Sequence, residues 1–231
     1  MNKKIEVHLR KAKEGDLWAM IDLARDYSWP GEDRNLDEAL MWADKVWSFY
    51  KNNQLPRFAL PTTCVFDIYQ EILSSDSHLD IGRLVAILEE GVSFGFPGPA
   101  LLLGDMYSGV ESPPGKQHVQ RDSQKALAYY VRASELGSAR ALVSIARYYY
   151  KGEVVARDMK MALSLCLQAF ALENGRIFGN HWGLMGQIFL KGGDGILPSQ
   201  RLVEICRRQD VYSLAKEFNV VEVLCQYSTA L

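Results

Sequence analysis

Ala141-Leu142-Val143-Ser144-Ile145-Ala146-Arg147-Tyr148-Tyr149-Tyr150-Lys151-Gly152, followed five residues later by Asp158-Met159-Lys160-Met161-Ala162-Leu163-Ser164-Leu165-Cys166-Leu167-Gln168-Ala169, decides the fold. Counted from Ala141, offsets 0, 4, 5 and 8 hold Ala141, Ile145, Ala146 and Tyr149. Those offsets fall on one face of an α-helix. The small Ala146 lets a partner helix come close, and the ring of Tyr149 fills the space beside it. Gly152 suits a left-handed cap at the end of the first helix. Asp158 opens a second helix as its N-cap, and Ala162 sits where the two helices cross. The stretch predicts a helical hairpin with an apolar face that only another hairpin can cover.

The same pattern recurs on both sides. Upstream, Leu103-Gly104-x-x-Tyr107-x-Gly109 leads to Asp122-x-x-Lys125-Ala126-x-x-Tyr129-Tyr130-x-x-Ala133-Ser134-x-x-Gly137. The first unit carries Ala19-x-x-x-Leu23-Ala24-x-x-Tyr27 and Asn35-x-x-Glu38-Ala39-x-x-Trp42. A worn unit gives Pro61-x-x-x-Val65-Phe66-x-x-Tyr69, then Asp80-x-x-Arg83-Leu84-x-x-Ile87-Leu88 up to Gly95. A last start reads His181-x-x-x-Met185-Gly186-x-x-Phe189-x-x-Gly192. Units begin at 19, 61, 99, 141 and 181, in steps of 42, 38, 42 and 40. A period near 40 marks a solenoid of helix pairs.

On these residues the chain resembles the Sel1-like repeat family, relatives of the tetratricopeptide repeat. The pattern A-x-x-x-L-G-x-x-Y-x-x-G … D-x-x-K-A-x-x-[WY]-[YW]-x-x-A-[AS]-x-x-G is met best by the third and fourth units and well by the first. In the second, Phe66 replaces the small residue; in the fifth, His181 replaces the first alanine. The resemblance covers about residues 10–195. It implies an all-α, right-handed α-solenoid over 1–231 as a single domain, with repeats at about 8–50, 56–95, 96–137, 138–175 and 178–208. The helical stripes of 199–231, Leu202-Ile205-Cys206 and Val211-Leu214-Ala215-Phe218, read as a C-terminal cap over the last exposed face.

Composition narrows the function classes. The 231 residues are 48% hydrophobic and 23% charged, with a net charge of −2. That balance sets no basic field for nucleic acid. Charges interrupt the apolar residues after Lys3 and Lys4, so the start does not read as a secretory signal. No apolar run reaches the roughly 18 residues of a membrane span. Cys64, Cys166, Cys206 and Cys225 form no C-x-x-C pair and sit in apolar helical contexts. They read as reduced, buried thiols, which points to the cytoplasm.

No catalytic constellation emerges. His8, His78, His118 and His181 stand in no metal-binding frame, and His181 takes a helix-packing position. Pro113-Pro114-Gly115-Lys116-Gln117 fails as a phosphate loop: Val110 stands where its first glycine belongs, and Gln117 replaces the magnesium-binding hydroxyl. Gly179-x-x-x-Gly183-x-x-Gly186 lacks dinucleotide spacing and suits tight helix contacts instead. Glu89-Glu90 and Glu32-Asp33 read as solvated charges. Neither a metal nor a cofactor is expected, and the chain reads as a non-enzyme.

The family resemblance implies that the first helix of each hairpin lines a concave, protein-binding groove. With offset 5 buried, offsets −1, 2, 6, 9 and 10 turn toward that groove. The candidates are Trp18, Arg25 and Trp29; Asp67 and Gln70; Asp105; Arg140, Arg147, Tyr150 and Lys151; and Gln187. The middle of such a groove is acidic and its C-terminal part basic. Trp42 takes a core position. Trp18, Trp29 and Trp47 read either as packed between hairpins or as aromatic anchors for a partner. The long third loop, with Pro113, Pro114 and Lys116, is a second candidate surface. The resulting expectation is a bacterial cytoplasmic adaptor, or an immunity protein that neutralises a secreted toxin or effector. The alternatives are a small hydrolytic site in the groove and a regulator binding a non-protein ligand. The pattern sets no oligomeric state.

Overall fold

The computed structural model describes residues 3–52, 68–69, 80–109, 119–173 and 180–220. Among them every named element is an α-helix, and consecutive helices pack in pairs. The chain falls into two compact units, Met1–Arg121 and Asp122–Leu231.

The first unit holds α1 (Lys3–Lys13), α2 (Leu17–Ser28), α3 (Leu36–Asn52), α4 (Ile81–Ser93) and α5 (Pro97–Ser108). Asp16 starts α2 by accepting the N–H groups of Trp18 and Ala19 at 2.9 and 3.1 Å. Asn35 starts α3 by accepting from the Glu38 N–H at 3.2 Å. These bonds satisfy amides that a helix start leaves without an internal partner. The two helices meet at Leu23, Ala24, Ala39 and Ala43, all fully buried, so the small residues of the pattern sit at the crossing. Ahead of the hairpin, α1 buries Ile5 and Ala12 and packs on α2. The sequence pattern begins its first repeat inside α1 and does not register it as a separate helix.

Between α3 and α4 the contact is partly ionic. Trp47 donates its Nε1–H to Glu90 Oε2 at 2.8 Å, and Lys51 Nζ donates to both Glu90 oxygens at 2.9 and 2.8 Å. Trp47 is 2% exposed and stacks on Tyr50, with Phe94 and Phe96 packed edgewise on it. Trp47 therefore takes the buried reading. Glu90 is corrected from a solvated charge to the acceptor of a helix-joining clamp. A second join brings the Tyr69 hydroxyl to Asp44 Oδ1 at 2.8 Å, with the Arg83 guanidinium on the other carboxylate oxygen.

The second unit holds α6 (Ser123–Glu135), α7 (Ala139–Lys151), α8 (Met159–Leu172), α9 (Asn180–Lys191), α10 (Gln200–Arg208) and α11 (Val211–Glu217). The expected caps are present. Gly152 ends α7 at φ 74°, and Asp122 and Asp158 accept from the first amides of α6 and α8. The core of α7 to α11 is continuous: Ala146, Ala162, Cys166, Phe170, Met185, Phe189, Cys206 and Leu214 pack as one cluster. Phe170 meets Trp182 edge-on at 6.0 Å, and Phe189 stacks on Phe218 at 5.7 Å. The cap read from 199–231 corresponds to α10 and α11 over its described part, and 221–231 lies outside the described residues.

One fastening has no counterpart in the pattern. Asp194, in the loop after α9, accepts the Met159 N–H at 2.8 Å, so a residue of the next hairpin caps α8 beside its own Asp158. The loop needs its glycines: a Cβ on Gly192 would lie 2.7 Å from the Pro198 ring, and one on Gly193 2.9 Å from Met159 Sδ. Gly186 is different. A Cβ there meets Cys206 Cβ at 3.6 Å, ordinary contact, and one on Gly183 meets nothing within 4 Å, so neither glycine is required by a tight approach.

Candidate functional site

The described candidate residues fall in both units, and each unit is taken by itself. In the second unit, α7 and α9 touch along their first-helix positions. Arg140 and Lys151 are exposed on α7, Arg147 and Tyr150 half-buried, and Gln187 and Lys191 exposed on α9. Neither helix contains an Asp or Glu. Lys191 Nζ lies 5.1 Å from the centre of the Tyr150 ring, a cation–π contact that ties the two helices. The Tyr150 hydroxyl is buried and has no hydrogen-bond partner among the described residues. Lys151 reaches Glu153 only at 3.8 Å. The loop beside this face holds Val154 at φ 64°, a left-handed conformation that a β-branched residue adopts under strain.

Behind the face lie two thiols. Burial pushes Cys166 up to about 12, opposed by the nearby Arg147 charge and reinforced by Cys206. Burial likewise raises Cys206 to about 11. Both stay protonated near neutrality and serve as small apolar side chains rather than nucleophiles. Cys64 and Cys225 lie outside the described residues.

In the first unit, Trp18 and Trp29 are 61% and 70% exposed on α2. They are not packed between hairpins. Arg25 stands between them, paired with Asp22 three residues away. From α1, Lys4 Nζ binds Asp26 at 2.7 Å, and His8 lies 3.2 Å from Asp26 and 3.8 Å from Asp22. The repeat offsets single out Arg25 but neither its partner Asp22 nor Asp26, which pairs with Lys4 and His8 of α1. Their spacing to Arg25 and to α1 becomes informative only once α1 is placed.

Asp105 is corrected. It is 7% exposed and lines no accessible face. The reason is α5 itself, which buries Pro99, Ala100, Leu102, Leu103, Gly104 and Met106. A helix apolar nearly all round has no outward side to offer. Offset 2 is corrected as well, since Ile21 and Val143 at that position are buried. Asp67, Gln70, Pro113, Pro114 and Lys116 lie outside the described residues, as does the acidic middle of the groove that Asp67 carried.

Candidate chemistry elsewhere is sparse. An open depression of about 610 Å³ lies over α3, lined by Met20, Met41, Phe49, Asp44, Lys45 and Arg83 among others. Its carboxylate Asp44 is already tied to Tyr69 and Arg83. His181 is buried at a packing position in α9. Among the described residues no group of three or more His, Cys, Asp and Glu is placed to hold a metal ion, and no helix is long and apolar enough to cross a membrane.

Paired helices with Gly and Asp caps, each pair closing on the next within its unit, define a helical-repeat protein. Within that class, the chain has the Sel1-like repeat fold, an α-solenoid. It is similar to a Sel1 repeat protein from Oxalobacter formigenes, with a TM-score of 0.56 at 19% identity, over 89% of this chain and 54% of that one. This chain thus spans about half the length of that neighbour. A protective antigen of uropathogenic Escherichia coli strains, displaying an SLR fold, aligns over 90% of this chain and 64% of its own, at 15% identity and a TM-score of 0.19. No family model matches the chain, and no curated protein does.

Proposed function

We propose that the chain is a non-catalytic protein-interaction scaffold that holds an acidic segment of a protein partner on the α7–α9 face. One observation carries the reading: two adjacent first-position helices bring Arg140, Arg147, Lys151 and Lys191 to one surface without a single acidic residue of their own. The overall charge of −2 makes that local excess a specific feature rather than a general one. Complementary charge of this kind governs partner choice and encounter rate more than affinity. A bacterial cytoplasmic adaptor, or an inhibitor cognate to a secreted toxin or effector, is the role that fits such a face best.

The test is co-purification from the native cell, comparing the wild-type chain with a triple Arg140→Glu, Arg147→Glu, Lys151→Glu variant. The expected result is a stoichiometric protein that the wild type retains, that the variant loses, and that added salt releases. Unchanged retention by the triple variant overturns the basic-face reading, and the absence of any stoichiometric protein overturns the scaffold. A shift of labelled RNA or DNA by the wild-type chain overturns it in favour of a nucleic-acid regulator.

A further inference from the structure

The exposed stripe on α2 reads Trp18, Asp22, Arg25, Trp29, with spacings of 4, 3 and 4. At 3.6 residues per turn these positions lie within a narrow arc of one helix face. Trp29 is the cap residue, but its φ of −68° keeps the side chain on the helical track. The stripe is palindromic in spacing and self-complementary in charge. Both halves mirror about a point midway between Asp22 and Arg25: an aromatic ring at each end, and opposite charges at equal distance from the centre.

We propose that this face is a self-association surface, on which a second copy of the chain lays its own α2 antiparallel about a two-fold axis passing between Asp22 and Arg25. The proposal is independent of the α7–α9 face and of whatever binds there. A closed dimer presents the same patch from both subunits, so residue i meets residue j and j meets i. Reversing α2 on itself does this without adjustment. Trp18 comes opposite Trp29 of the other copy, Asp22 opposite its Arg25, and Arg25 opposite its Asp22. The pair that now closes within one helix becomes a four-charge ring across two.

The surface is also held ready. The central carboxylate Asp22 is held by Arg25 on its own helix, and beside it Asp26 is tied to α1 by Lys4 and His8, so the charged centre is ordered before a second copy arrives. The tryptophans have no such cover, at 61% and 70% exposure. Tryptophan and arginine are the side chains that anchor interfaces most often. An aromatic side chain covers about 150–250 Å² when fully buried, so four tryptophans at these exposures supply on the order of 500 Å². That is a large share of the roughly 1,200 Å² at the lower end of stable interfaces. The expected dimer is therefore reversible rather than permanent.

Sedimentation equilibrium of the full chain tests this, with circular dichroism confirming that each variant is folded. Wild type is expected to show a monomer–dimer equilibrium. Trp18→Ala and Trp29→Ala each raise the dimer dissociation constant by about tenfold or more, as loss of an aromatic anchor does. Arg25→Asp and Asp22→Arg each abolish self-association by setting like charges face to face. Mixed in equal amounts, those two variants form a heterodimer, and the double swap in one chain restores the homodimer. A wild type that stays monomeric to about 1 mM overturns the proposal. So does a dimer indifferent to Arg25→Asp, a change at the residue that pairs with Asp22.

Discussion

Helices α2 and α7 open their hairpins at the same repeat position, and they differ in character chiefly where the fold leaves them free. Facing inward, the two agree: Ala19 with Ala141, Leu23 with Ile145, Ala24 with Ala146, Tyr27 with Tyr149. Facing outward, Trp18 stands where α7 has Arg140, Arg25 where it has Arg147, and Trp29 where it has Lys151. Close packing dictates the first set, because a methylene gained or lost in a dense interior is felt at once. Nothing in the hairpin dictates the second. One helix carries an aromatic stripe with Arg25 paired to Asp22 on the same helix, the other a run of cations with no acid within the helix itself. The repeat thus separates what folds the chain from what the chain can recognise.

Four measurements break or sharpen that contrast. The largest effect belongs to the inward set. Ala24→Leu and Ala146→Leu overpack a helix crossing and lower stability by about 1–3 kcal/mol each in chemical denaturation. The outward Trp18→Ala and Arg140→Ala stay within about 0.5 kcal/mol. If the two sets behaved alike, the division would be void. Next comes the way hairpins are joined. Burial alone would raise the Glu90 carboxyl, but the hydrogen bonds from Lys51 and Trp47 outweigh it and hold the group below its ordinary 4.5. The clamp's contribution is therefore complete above pH 4.5 and is lost as pH falls through the lowered value. Glu90→Gln removes that dependence and about 1 kcal/mol at neutral pH, read from denaturation curves at several pH values. A comparable loss, again about 1 kcal/mol, follows Asp194→Ala, which deprives α8 of its second cap. Amide exchange at Met159 reports it locally. Smallest is Gly186→Ala: the added Cβ finds room against Cys206, and helix propensity raises the melting temperature by the equivalent of under about 1 kcal/mol.

The inward face was readable in sequence because small and aromatic residues recur at fixed helical offsets, and Asp and Gly mark where helices begin and end. Trp42 and His181 were placed correctly on that basis. The offsets failed for Asp105 because they describe a helix with one wet side, whereas α5 is enclosed on most of its surface. Trp47 and Glu90 escaped because their bond spans 43 residues, and a single repeat unit says nothing about its neighbour's side chains. Asp194 escaped for the same reason, at a separation of 35. Contacts inside a hairpin are periodic and legible. Contacts between hairpins belong to one pair of positions and leave no pattern.

That last contact has a temporal side. As the polypeptide leaves the ribosome, α8 is made before the loop that carries Asp194, so its first amide waits for a partner not yet synthesised. The hairpin is finished retroactively, by the one after it. A truncation at Lys191 would leave every residue of α7 and α8 intact and still loosen the beginning of α8, and the damage from any such cut would travel toward the N-terminus.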